Sequence, residues 1–531
     1  MRSIKILDCT LRDGGYVNDW NFGMGSIKSI ISRLDNAGID IIEIGFLDSR
    51  RKYDENRSIV PDTDSLKPIF EDLGVVNAMT LSMIDFGTCG LEYVKDKKDT
   101  PIDGIRVIFK KKDYIAATDF CMELKKKGYK IFLQPVSVTT YSDDEMRELI
   151  KIVNKVGPHG IYIVDTYGLM HKKEMLHYFS IMDENLQKDI YIGYHAHNNF
   201  QLAYANCTEL MEIDSERELI VDSTLYGMGK SAGNACTELL ANYLNENYGK
   251  QYKMDQLLEA IDVDISKEYA KKYWGYSFMH FIAASNDCHP EYVNALINKK
   301  TLSVKSINEI LSKIENDKKL TFNKELLENM YIQYQSVSID DNDAYDRLNK
   351  NLENREILVV APGKSIETHK EKISGFIRGK NPLIIAINFL LDDVKADYVF
   401  MGNAKRYSQF YNRIYKHDST IKVICTSNIS ESNKKIDFKL NFNALLCKDA
   451  VIRDNPVLML LKALVKMKIK SAYLAGFDGY SPDLASNYMG EYIQFLYCDE
   501  NVLLRNEAVK KEIKEIGKSI NLEFLTPSHY L

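Results

Sequence analysis

In the first 250 or so residues of this 531-residue chain, eight short runs rich in β-branched residues alternate with longer amphipathic stretches, and few folds are compatible with that rhythm. The runs cover residues 4–8, 40–46, 75–81, 104–109, 129–136, 160–165, 190–195 and 219–223. Strands separated by helix-length segments are parallel, because a parallel pair needs a crossover rather than a hairpin. Eight such units in about 250 residues predict a (β/α)8 TIM barrel, with its working residues at the C-terminal ends of the strands.

The rest of the chain is too long to extend that one core. Residues 251–335 have helical periodicity and read as a helical extension, and residues 336–356, with Asp340-Asp341-Asn342-Asp343, have the composition of a linker. Strand and helix then alternate again over 357–531, with strands expected at 357–361, 383–388, 398–401, 422–425 and 472–475. That pattern is a second, Rossmann-like α/β domain. Hydrophobic residues at 45% and charged residues at 27% describe a chain that folds throughout, and a net charge of −6 offers no basic face for nucleic acid. The longest apolar stretch, 457–467, is broken by Lys462 and Lys466, so no membrane span is expected. The chain enters its first strand without a signal-peptide pattern, and a cytoplasmic protein is the expectation. Nine cysteines without a Cys-x-x-Cys pair indicate neither a zinc ribbon nor a redox dithiol.

Unusual residues gather where the barrel strands end. The first strand runs into Asp8-Cys9-Thr10-Leu11-Arg12-Asp13-Gly14-Gly15-Tyr16, which sets a permanent cation beside an acid. The seventh ends in His195-Ala196-His197-Asn198-Asn199, and residues two apart on a strand face the same way, so both imidazoles can point at one metal that Asp13 can join. The eighth leads into a glycine-rich loop from Gly227 to Asn234, able to lie close to a ligand, with Asn234 as a possible fourth metal ligand. Glu43 and Asp165 are acids in apolar strands. Each reads either as a site residue or as a core polar partner.

These motifs, in this order, resemble the DRE-TIM metallolyase superfamily over residues 1 to about 300, and most closely its 4-hydroxy-2-oxovalerate aldolases. The resemblance implies that Asp13, His195 and His197 hold a divalent cation whose shell is completed by a 2-oxo acid, while Arg12 stabilises the enolate. Mn2+ is the expected ion, with Mg2+, Co2+ or Zn2+ as alternatives. It further implies a pyruvate-type substrate, an aldehyde partner and a homo-oligomer. Tyr16 departs from the pattern, because the aldolases carry a histidine there and a phenol is a poor base at neutral pH. Tyr276 resembles a tyrosine of the aldolase helical region and is the expected helper of Tyr16, with His280 or a metal-bound water as alternatives. The cysteine that 3-hydroxy-3-methylglutaryl-CoA lyases carry in the glycine-rich loop is missing. A Claisen-type acyltransferase like isopropylmalate synthase, or a non-catalytic metal-binding scaffold, are the rival readings.

In the second half, Ala361-Pro362-Gly363-Lys364-Ser365 follows a strand, but a P-loop needs glycine where Leu358 stands. That segment, Asp397 to Asn403, and Tyr473 to Tyr480 resemble sialyltransferase-like and DUF115-type Rossmann domains of surface-glycan pathways. The resemblance implies a nucleotide or nucleotide-sugar ligand and a sugar-derived aldehyde for the barrel. The plainer alternative is a domain for assembly only.

Overall fold

The structure is a computed structural model that describes residues 3–299, 301–319, 322–390, 395–417, 420–429, 436–449, 451–483, 487–489 and 502–531. The chain forms two compact units, Met1–Pro290 and Glu291–Leu531.

In the first unit the barrel strands are β1 (Ile4–Asp8), β2 (Ile41–Leu47), β3 (Met79–Asp85), β4 (Gly104–Phe109), β5 (Lys130–Pro135), β6 (Gly160–Asp165), β7 (Tyr191–Ala196) and β8 (Leu219–Ser223), and a two-residue strand, Ile59–Val60, pairs with the end of β2. The barrel strands pair in chain order, all parallel, and β1 pairs with both β2 and β8, which closes the expected eight-stranded barrel. The surrounding helices bury one stripe each. Met24–Ala37 buries Ile27, Ile30, Ile31 and Leu34, spaced for one helical face, and ends at Gly38 with φ 86°. The helix Asp143–Val156 starts in a capping box between Ser142 and Glu145.

The third strand lies four residues later than the 75–81 expected. Val75 has high strand propensity but is 85% exposed, and the amides of Asn77 and Ala78 donate to Asp35 Oδ1 instead of to a sheet neighbour. Burial begins only at Ala78, with Leu81 and Met83 fully inside.

Inside the barrel, alternate strands contribute a layer of four side chains, a position that aliphatic residues usually fill. Here the layer is Glu43 of β2, Arg106 of β4, Tyr162 of β6 and Asp222 of β8, all buried. Arg106 Nε lies 3.1 Å from Glu43 Oε1, its Nη1 lies 2.7 Å from Asp222 Oδ2, and its guanidinium stands 4.6 Å from the Tyr162 ring centroid. These are charge contacts rather than aligned hydrogen bonds. Buried charges survive only when paired, and Arg106 is the one cation that faces both carboxylates.

The second unit carries β9 (Ile357–Val360), β10 (Leu383–Ile387), β11 (Tyr398–Met401), β12 (Lys422–Thr426), β13 (Phe438–Leu440), β14 (Ser471–Ala475) and β15 (Asn521–Phe524). Their order is β13-β12-β11-β10-β9-β14-β15, all parallel, so among the described residues the expected Rossmann-like α/β sheet has seven strands rather than five. The two additional strands lie at the edges. They are short, and β15 alternates exposed and half-buried residues, a pattern with little strand signal.

The segment read as a linker holds the helix Asn342–Leu352. Its Tyr345, Leu348 and Leu352 are buried in the core of the second unit, on one face of the helix. Asp341 accepts from the Asn441 amide at 2.8 Å and meets Lys466 Nζ at 3.1 Å. The acidic composition belongs to the outer face of a packed helix. Residues 291–335, read as part of the helical extension, belong to the second unit. Among the described residues no helix is long and apolar enough to cross a membrane.

Candidate metal centre

Past β1 the backbone turns tightly. The Thr10 amide donates to Asp8 Oδ1, and the amides of Arg12 and Asp13 both donate to the Cys9 carbonyl, so the two side chains are delivered over the barrel mouth. Both are buried, and Arg12 Nη1 donates to Asp13 Oδ2 at 2.5 Å. At the end of β7, His195 and His197 place their ring centroids 5.1 Å apart. One ligand-capable atom from each of Asp13, His195 and His197 lies within 4.8 Å of the other two, and all three residues are buried.

The glycine-rich loop after β8 closes on this group. The Lys230 amide and Asn234 Nδ2 both donate to Asp13 Oδ1, at 3.1 and 3.0 Å, and the Asn198 amide donates to the Gly233 carbonyl. Two glycines make this approach possible. A Cβ on Gly229 would fall 2.1 Å from Asn234 Nδ2 and 2.7 Å from Asp13 Oδ1, and one on Gly233, whose φ is 79°, would fall 2.0 Å from the Gly227 carbonyl oxygen.

Electrostatics set the protonation states. Burial alone would raise Asp13, but Arg12 and the two histidines hold its carboxyl well below the usual carboxylate range. Burial pushes His197 down to about 4, so it is neutral at pH 7. For His195 burial is outweighed by Asp13 and Asp222, which raise it; its Nδ1 is 2.9 Å from Asp222 Oδ2, and its Nε2 is 3.6 Å from Asp13 Oδ2.

Two observations fit a cation here. Asn234 Oδ1 is buried with no hydrogen-bond partner, although its amide nitrogen is engaged. Arg12 and Arg106 also stand against three buried carboxylates, Asp13, Glu43 and Asp222, and the third negative charge is met only by His195, which Asp13 and Asp222 raise. A divalent ion relieves both conditions, and a carboxylate with neutral imidazole and amide oxygen suits such an ion.

Other expected site residues stand apart from this group. Glu43 sits behind it, its Oε2 accepting from Arg12 Nε at 2.8 Å while Oε1 faces Arg106. Tyr16 packs edge-on against Trp20, with ring centroids 4.8 Å apart, and is 41% exposed. Desolvation and the Asp13 carboxylate push its phenol up to about 12. Tyr276 is 52% exposed; its carbonyl accepts from the Tyr273 hydroxyl, and its side chain has no bond or ring contact with the Asp13 group. His280 starts a helix capped by Ser277 and is held down by burial. Asp165 accepts the amides of Leu169 and Met170, shaping the loop after β6.

The sequence reading did not assign Arg106 or Asp222 a role. Each is a lone charge in an apolar strand, the same signal that singled out Glu43 and Asp165.

Comparison with known proteins places this geometry in a family. Residues 107–263 match the HMGL-like family model. The 4-hydroxy-2-oxovalerate aldolase of Pelotomaculum thermopropionicum is 28% identical over 251 residues, 46% of this chain and 70% of that protein. The protein of the same name from Roseiflexus castenholzii is 26% identical over 253 residues, with 46% and 71% covered. The oxaloacetate decarboxylase of Mycobacterium tuberculosis is 24% identical over 292 residues, 51% of this chain and 81% of its own. With the closed barrel and the order of its motifs, these matches support an HMGL-like (DRE-TIM) domain in the N-terminal unit.

Proposed function

We propose that the barrel is a divalent-metal-dependent carbon–carbon lyase of the aldolase kind, which makes or breaks a bond next to the carbonyl of a pyruvate-type 2-oxo acid through its enolate. The observation that carries this reading is the state of Arg12. Its Nε is held by Glu43 and its Nη1 by Asp13, while Nη2 is buried and has no partner. A locked guanidinium with one open donor beside a metal-ligand group is arranged to receive negative charge on an oxygen.

Asp13, His195 and His197, with Asn234 beside them, would hold the ion, and a divalent ion bound there supplies Lewis acidity toward the oxo acid's carbonyl oxygen. Mn2+ is our choice for this donor set. Arg12 Nη2 donates to the enolate oxygen, and Glu43, held in turn by Arg106, positions the guanidinium. Tyr16 keeps its proton at neutral pH and acts as a hydrogen-bond donor at the mouth rather than as a base. The names of the relatives support the substrate class, since 4-hydroxy-2-oxovalerate and oxaloacetate are both 2-oxo acids. The aldehyde partner is assigned as sugar-derived on the strength of the fused second unit alone.

The test is exchange of the C3 protons of pyruvate in heavy water, followed by NMR with and without added Mn2+. We expect exchange that needs the metal and not acetyl-CoA. A metal-loaded protein that exchanges no 2-oxo acid would overturn the reading, and turnover dependent on acetyl-CoA would replace it with Claisen chemistry.

A further inference from the structure

The second unit contains a cavity that the barrel chemistry leaves unexplained. From β9 the chain moves outward through β10, β11, β12 and β13, then returns to lay β14 and β15 on the other side of β9. Connections from β9 and β14 therefore diverge, and a crevice opens where neighbouring strands of a parallel sheet send their loops apart. A cavity of about 150 Å3 lies at that point, walled by the loops that follow β9, β10 and β14.

Its walls are built with close backbone contacts. The Gly363 amide donates to the Gly476 carbonyl at 2.9 Å, and a Cβ on Gly363 would fall 2.4 Å from that oxygen. In many doubly wound sheets the anion of a ligand sits on the turn after the first strand. Here that position is already taken by a carboxylate of the protein. Asp478 Oδ2 accepts the Ser365 amide at 2.7 Å, and its other oxygen accepts the Ser365 hydroxyl. Lys364, which follows the glycine, pairs with Glu367 at 2.5 Å and does not line the cavity.

Two cationic groups enter the cavity from other elements, alongside the carboxylate of Asp454, which also lines it and lies within electrostatic reach of Arg505. Arg406, on the helix Ala404–His417, is 4% exposed and lines the cavity, with its Nη1 donating to Gln409 Oε1 at 2.8 Å. Arg505, on the helix Val502–Ile516, stands 5.5 Å from the ring centroid of Tyr480, and both residues line the same space. A guanidinium presents a planar fork that matches phosphate oxygens, and a flanking aromatic face suits a ring.

We infer that this cavity binds a phosphorylated, hydroxyl-bearing small molecule with a ring, its phosphate on Arg406 and Arg505 and its ring against Tyr480, and not on the Gly363-Lys364 turn. A mononucleotide and a sugar phosphate share this chemistry. The site belongs to the second unit and does not depend on the function proposed for the barrel.

The experiment is calorimetric titration of the full chain with cytidine, uridine, adenosine and guanosine monophosphates, with glucose 6-phosphate, and with inorganic phosphate. It is repeated on Arg406→Gln, Arg505→Gln and Lys364→Ala, each first checked for an unchanged melting curve without ligand. One organic phosphate should bind more tightly than inorganic phosphate. Each arginine variant should weaken it by about tenfold or more, and Lys364→Ala by less than about twofold. If the buried Arg406 variant does not fold, the half-buried Arg505 carries the comparison. Binding of a nucleotide or of the sugar phosphate supports the site and identifies the ring. The inference is overturned if nothing binds at millimolar concentration, if inorganic phosphate binds equally well, or if Lys364→Ala and neither arginine variant weakens binding.

Discussion

The two units use the same parallel strand–helix grammar but put their charges in different places. In the barrel, charged residues sit on the strands themselves, where Glu43, Arg106 and Asp222 fill a layer that aliphatic side chains usually fill. In the second unit the central strands β9 and β10 are apolar, and the polar groups around the cavity, such as Asp478, Arg406 and Arg505, sit on loops and helices beyond the strand ends. Strand-borne groups are held more exactly than loop-borne ones, at the cost of desolvated charges that must all be paired. The difference suggests that the barrel exchanges stability for a fixed arginine and metal-ligand geometry, whereas the second unit keeps an ordinary core and carries recognition on its rim.

The largest effect expected concerns the apolar side of that contrast. A piece covering 291–531 should fold alone, whereas one starting at residue 355 removes the helix that buries Tyr345, Leu348 and Leu352. At about 1.5–3 kcal/mol per buried side chain, that loss approaches the whole stability of a domain. Circular dichroism melts of the two pieces decide it, and equal stability would show that the helix is dispensable.

Next in size, Asp13→Ala or His197→Ala should lose bound metal and lower pyruvate proton exchange by about a thousandfold. Metal analysis of the purified variants is the check. Full occupancy in both would remove them from the ligand set.

Arg106→Met should cost the first unit about 3 kcal/mol or more, because it leaves two buried carboxylates, Glu43 and Asp222, with only Arg12 and His195 respectively to face them. The chain's two tryptophans, Trp20 and Trp274, are both buried in the first unit, so their fluorescence during urea unfolding reports on that unit. A midpoint that does not move would mean that the charged layer is no less robust than an apolar one.

Gly229→Ala should weaken metal binding by about 10–100-fold with little change in stability, since its Cβ would press on Asn234 and Asp13. Competition with a fluorescent chelator measures it, and unchanged affinity would show that the loop yields.

The smallest effect is expected at Tyr16. A phenol whose acidity is shifted up to about 12 stays protonated throughout pH 6–9 and deprotonates only above that range. Tyr16→Phe should therefore lower exchange by less than about tenfold and leave the shape of its pH profile unchanged over that interval. Loss of a limb on which the rate rises with pH would make Tyr16 the base after all.

Much of the barrel mouth was legible in the sequence because its geometry is local. His195 and His197 share a face by the two-residue period of a strand, and Arg12 and Asp13 follow β1 directly. Where the reading failed, a distant residue decided the outcome. The Val75-Val76 pair looks like a strand start until Asp35 takes the amides just beyond it. The acidic run around Asp341 looks like a linker until the Asn441 amide and Lys466 meet it.

The sequence alone determined the repeat that closes into a barrel, the strand ends that carry Arg12, Asp13, His195 and His197, and the glycines that let the last loop approach them. Each of these depends on spacing within one element and its turn. Only the tertiary structure decided that Arg106 pairs with both Glu43 and Asp222, that Arg12 keeps one nitrogen open, and that Asp478 occupies the turn after β9 while Arg406 and Arg505 line the cavity beside it. A buried charge in an apolar strand declares that it needs a partner but not which one. The choice is made when strands remote in sequence close around the same space.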